Sequence, residues 1–114
     1  MRFLNRTAVL VKPKQRFLDW LHAADPTADR VSLKGVQREP TIYLLPECDS
    51  DQEAASYLRQ ICDEIFEHEL DGWYRDTSSW PEDLEFSNFN EWFECTFHSV
   101  VIDLSDERLV TEEL

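Results

Sequence analysis

Glycine is almost missing from this chain: among 114 residues only Gly35 and Gly72 occur, so there is no glycine-rich loop to let a phosphate approach the backbone. Long apolar runs are missing too. The first, Thr7 to Val11, is halted by Lys12-Pro13-Lys14 and is far too short for a signal peptide or a membrane span. The three cysteines, Cys48, Cys62 and Cys95, are odd in number, and their wide spacing matches neither a zinc ribbon nor a paired redox motif. A reducing cytoplasm is the expected setting. Internal repeats and low-complexity tracts are absent. Basic residues become scarce after residue 40, where only Arg59, Arg75 and Arg108 stand against twenty acids, a net of -17. Residues 1–40 instead hold eight Lys or Arg against four acids, a net of +4. A total of -13 repels nucleic acid and anionic membranes, so neither is an expected partner. It favours a basic protein or peptide, or simply solubility.

What the chain does have is apolar and aromatic mass. Apolar residues make up 42% of it and fourteen residues are aromatic, enough to build one core over 1–114 as a single domain, with residues 105–114 as an acidic end that either frays or adds a short edge piece. Thr7–Val11, rich in β-branched residues, predicts a strand, and Pro13 the first turn of a helix running to Ala24. Residues 25–40 predict a loop in which Ser32 to Val36 can form one turn. Thr41–Leu45, framed by Pro40 and Pro46, predicts a second strand, placed inside the sheet by its unbroken apolar character. Ser50 and Glu53 form a capping-box pattern ahead of a long amphipathic helix from Asp51 to Leu70, with Gly72 as its stop. Ser79-Trp80-Pro81-Glu82-Asp83 predicts a capped turn, Ser87 to Phe93 a short helix, and Thr96–Leu104 a third strand. The expected fold is α+β: a small sheet of three or four strands packed by one long amphipathic helix and two or three shorter helices. The first two strands are far enough apart for a parallel crossover.

Four sets of residues invite a chemical reading. Glu64, His68 and Asp71 are spaced four and three apart, so they share one ridge of the long helix, a carboxylate, imidazole and carboxylate set suited to a divalent metal. A metal normally needs a ligand from a second element, and the plainer reading of His68 is a histidine at the edge of the core. Cys95 and His98 suggest a nucleophile and base, but residues three apart in a strand face opposite ways. Lys12, Lys14 and Arg16 surround the start of the first helix, where free N–H groups and the helix dipole favour an anion. The acidic remainder of the chain offers them internal partners. Finally, eight of the fourteen aromatics fall between Trp73 and Phe97, interleaved with acids. A surface built from Trp73, Tyr74, Trp80, Glu82, Asp83 and Trp92 would grip a basic partner; otherwise these aromatics pin loops onto the core.

The runs Asp71-Gly72-Trp73-Tyr74-Arg75-Asp76, Trp80-Pro81 and Phe97-His98-Ser99-Val100-Val101-Ile102-Asp103-Leu104 resemble those of a family of short, free-standing bacterial proteins known chiefly as uncharacterised. The resemblance implies a bacterial cytoplasmic protein and no activity for any residue. The expected function is a non-enzymatic protein-binding module, an adaptor or an inhibitor of a basic partner, with no cofactor. The alternative is a small metal-dependent enzyme using Glu64, His68 and Asp71. A homodimer pairing the basic part of one copy with the acidic part of another is a further expectation.

Overall fold

The computed structural model describes residues 1–114. In chain order the elements are β1 (Arg2–Phe3), β2 (Arg6–Pro13), α1 (Gln15–Ala24), α2 (Leu33–Val36), β3 (Thr41–Pro46), α3 (Asp51–Trp73), α4 (Phe86–Trp92), β4 (Phe93–His98) and β5 (Ile102–Asp103). The fold is α+β, with a three-stranded sheet ordered β3-β2-β4 and a two-stranded ladder of β1 with β5.

β2 is the central strand. Thr7, Val9, Val11 and Pro13 are buried against the helices, as expected of β-branched side chains on the covered face of a pleated strand. Pro13 therefore ends β2, opposite Phe93, rather than opening α1. The second apolar run does not sit inside the sheet: β3 is an edge, and its Ile42 and Leu44 are 60% and 51% exposed. Alternation explains it. Thr41, Tyr43 and Leu45, opposite Val11, Val9 and Thr7, share the helix-facing side of β2, whereas Ile42 and Leu44 lie on the bare side of the sheet.

The pairing of β2 with β3 is antiparallel, so the parallel crossover expected between them does not form. Residues 14–40 make an excursion through α1 and α2 and return beside their starting point, Val11 pairing with Thr41. The crossover comes one step later. β3 and β4 are both antiparallel to β2, hence parallel to each other, and α3 and α4 connect them across the covered face.

α3 begins as its capping pattern requires. The Ser50 hydroxyl accepts the Glu53 N–H at 3.1 Å, while the Glu53 carboxylate reaches one residue further out, to the Asp49 N–H at 2.9 Å. The helix runs through Gly72 to Trp73 because Gly72 keeps a helical backbone; glycine stops a helix only where it takes up a positive φ. The expected turn at Ser79 to Asp83 lies a few residues earlier, at Thr77–Ser79, because Asp76 supplies the cap and accepts the Ser78 N–H at 3.0 Å. The third strand ends at His98 and resumes as β5. The chain bends between Ser99 and Val101, and it bends at Leu4-Asn5 between β1 and β2, so both neighbours leave the main sheet at the same level.

The core is largely aromatic. Phe17, Phe66, Phe89 and Phe93 are fully buried and Trp92 is 4% exposed. Ring centroids between 4.9 and 6.2 Å apart link them, mostly tilted or edge-on, the arrangements that ring quadrupoles favour. The basic N-terminal part meets acidic or carbonyl groups of its own chain. Arg2 reaches Asp103 and donates to the Ser105 and Glu107 carbonyls at 2.8 and 3.0 Å, tying down the start of the acidic end. No helix is long and apolar enough to cross a membrane.

Candidate functional site

The only charged side chain in the core is that of Glu69, 8% exposed. It lies three and four residues after Phe66 and Ile65, which puts it on the apolar stripe of α3. Its Oε2 accepts the Tyr43 hydroxyl at 2.6 Å and the Thr41 hydroxyl at 2.9 Å, both from the helix-facing side of β3. The single Tyr43 proton is spent on that carboxylate, so the 2.8 Å contact between Tyr43 Oη and His68 Nδ1 is donated by the imidazole. His68 Nδ1 is 3.9 Å from Oε2; no Lys or Arg pairs with Glu69. Glu69 Oε1 has no protein hydrogen bond, and it is not sealed, since Trp92 Nε1 is the one fully buried side-chain atom lacking a partner.

Glu69, Thr41 and His68 line a cleft of about 450 Å³ between the last turns of α3 and the start of β3. Gly72 and Trp73 form one side, and Arg38 with Glu39 stand opposed in charge on the exposed rim. The C-terminus of a 23-residue helix opens here with no basic residue in its last turn, so the negative end of its dipole lacks a cation of its own. Buried carboxylate and helix end both favour a positive group in the cleft.

Tyr43 is held in its neutral form. Burial, then the hydrogen bond and charge of Glu69, push its pKa well above the ordinary 10.0. In the unfolded chain the phenol ionises as pH passes 10, while in the folded protein it keeps its proton, so stability is full below pH 10 and falls as pH rises beyond it. Unfolding free energy measured from pH 9 upward is expected to drop less steeply for Tyr43→Phe than for wild type; equal slopes would contradict the assignment. Two of the thiols are shifted the same way. Burial, then Cys62 and Glu69, push Cys95 up to about 11, and burial raises Cys62. Cys95 faces the core and His98 the exposed side of β4, so this pair stays apart.

The structure distributes the other candidates differently. On the helical ridge His68 turns to Tyr43, Asp71 pairs with Arg75 at 3.7 Å, and no three His, Cys, Asp or Glu side chains converge to hold a metal ion. Lys12, Lys14 and Arg16 do not converge either. Lys12 sits opposite Glu94, Lys14 donates to the Asn90 carbonyl at 2.9 Å, and the Arg16 guanidinium lies 5.9 Å from the Trp92 ring centre.

Of the expected aromatic surface, Trp92 is core. Trp80 and Tyr74 are half-buried and joined by a 2.8 Å bond from the indole N–H to the Tyr74 carbonyl, and Trp20 donates to the Ser79 carbonyl at 2.9 Å; these rings pin the loop. Trp73, 40% exposed, stands at the Glu69 cleft. Glu82 and Asp83 are exposed, with Glu82 on a separate cleft beside Asp63 and Glu85. Residue-type reasoning missed Thr41, Tyr43 and Glu69. The signal was an acid in register with the apolar stripe of α3.

Comparison with protein-family models, curated proteins and solved structures returns no match.

Proposed function

We propose that this domain is a non-enzymatic protein-binding module that captures a basic segment of a partner protein, as an adaptor or an inhibitor, by taking one Lys or Arg side chain into the Glu69 cleft. The observation that carries this reading is the Glu69 carboxylate, almost wholly buried at the cleft, bonded through hydroxyls on one oxygen and without a protein hydrogen bond on the other. A carboxylate removed from water is costly until a cation joins it. Trp73 at the rim offers a ring face to the arriving cation, and the net charge of -13 steers a basic partner toward the domain. A reducing cytoplasm is part of the proposal, which three free cysteines fit.

A Lys-rich peptide carrying a fluorophore tests it by anisotropy in about 50 mM and about 500 mM salt, a range that shortens the screening length severalfold. The expected result is saturable binding at low salt that weakens at high salt without vanishing, because the bound cation is shielded in the cleft. No saturable binding at low salt would overturn the reading.

A further inference from the structure

We infer that the partner's basic segment binds as an extended strand added to the free edge of β3, with an apolar side chain in the groove next to the Glu69 cleft. The inference rests on the cleft reading above and specifies the shape of the ligand.

β3 has one neighbour, β2, so alternate N–H and C=O groups along its outer side are unpaired. Edge strands are normally guarded by a charge, a proline, a bulge or a covering element, and β3 has prolines only at its margins, Pro40 before it and Pro46 as its last residue. Thr41 to Pro46 contains no charged residue, and its ladder with β2 runs without a skipped position from Val11–Thr41 to Arg6–Pro46. The opposite edge, β4, carries Glu94 and His98 exposed. Only one edge is thus left open to pairing.

Beside that edge lies a second concavity of about 340 Å³ between β3 and α3, lined chiefly by Leu45, Tyr57, Ile61 and Ile65. Tyr43 forms one wall, and His68 borders both this groove and the Glu69 cleft. The apolar groove, at Tyr43 to Leu45, and the Glu69 cleft, at Thr41, therefore adjoin along β3 with His68 common to both. Leu114 lines the same groove and is itself fully exposed. Thr41 and Leu45, at the two ends, are four residues apart, about 13 Å along a strand, which a short peptide spans. Strand addition beside a helix draws its affinity from main-chain bonds and its specificity from pockets for alternate side chains. Charge complementarity picks the occupant: Glu69 in the cleft and Glu64 at the groove suit a segment with a Lys or Arg and an apolar residue at an even separation, so that both face α3.

Two labelled peptides of identical composition, Thr-rich with one Lys and one Leu, test this against the whole chain. In one the Lys and Leu are four residues apart, in the other three. The expected result is binding at least about tenfold tighter for the even spacing, because odd spacing turns the two side chains to opposite faces. N-methylation of the even peptide is expected to abolish binding in one alternate set of backbone nitrogens and to be tolerated in the other. Equal binding of both peptides, lost for both in Glu69→Gln, would overturn strand addition and leave the cleft reading standing. Failure of both peptides to bind at low salt would overturn the cleft reading as well. A stable dimer that the even peptide does not dissociate, its β3 amides protected from hydrogen exchange, would show a second copy on the edge and overturn the inference.

Discussion

Trp92→Ala is expected to lower the unfolding free energy by about 3–5 kcal/mol, the usual cost of emptying a large aromatic site in a packed core. Trp92 touches the Phe17, Trp20 and Phe66 rings at centroid distances of 6.2, 6.1 and 5.1 Å, so its removal leaves a void that several rigid rings cannot collapse into. Trp92→Phe is expected to cost far less, because it keeps an aromatic ring and removes the indole N–H that has no partner, and an orphan donor is itself worth about 1–3 kcal/mol of lost hydration. Trp73→Ala, on the cleft rim, is expected to change stability by less than about 1 kcal/mol while weakening capture of a basic peptide. Urea unfolding of the three variants reads the order directly. A Trp92→Ala protein as stable as wild type would contradict the core described for α4.

Glu69→Gln is expected to weaken basic-peptide binding at least about tenfold, equivalent to about 1.4 kcal/mol, and to leave the protein folded. The amide keeps the size of the side chain and an oxygen for the Tyr43 and Thr41 hydroxyls, but it carries no charge for an incoming cation. Loss of the charge relieves its desolvation while the two hydroxyl bonds lose their ionic assistance, so the two effects on stability oppose one another. Glu69→Ala is a poorer probe, since it strands both hydroxyls at about 1–3 kcal/mol each. Titration of the Lys-rich peptide against wild type and Glu69→Gln, with thermal melts of both, separates binding from folding. A Gln variant that is folded and binds like wild type would remove Glu69 from the site.

The fold was legible where local chemistry and packing agree. The Ser50 and Glu53 pattern marks the start of α3, and the spacing of Leu58, Cys62, Ile65 and Phe66 marks its buried face. The turn capped by Ser32 is legible in the same way, with its hydroxyl accepting the Gly35 N–H at 3.0 Å. Strand order was not legible. An apolar run reads as buried on both faces, and nothing within Thr41–Leu45 reports that only the faces of Thr41, Tyr43 and Leu45 are covered. The antiparallel return of β3 beside β2 depends on the whole excursion through α1 and α2, which no local pattern encodes.

The site was legible only in part. His68 stood out by type and does belong to it, but its partners come from β3, not from its own helical ridge. Glu69 was hidden by its neighbours, because a helix with Glu64, Glu67 and Asp71 makes another acid look like more solvated surface. Register was the distinguishing feature: position 69 follows Cys62 by seven, Ile65 by four and Phe66 by three, the spacing of the core stripe. The clustered aromatics fitted either a gripping surface or pins for loops, and most of them serve the core and the loop before α4. Trp73 alone was both expected at an interface and found beside the cleft.

Mapping backbone and indole N–H chemical shifts during titration with the Lys-rich peptide separates uptake of a basic segment at the buried carboxylate from diffuse attachment to an acidic surface. Uptake at the carboxylate is expected to give saturating changes at Thr41, Tyr43, His68, Glu69 and Gly72 and at the Trp73 indole. Changes spread along the exposed acids of α3 from Asp51 to Glu67, or centred on Glu82 and Asp83, with Glu69 and Trp73 unmoved, would contradict it.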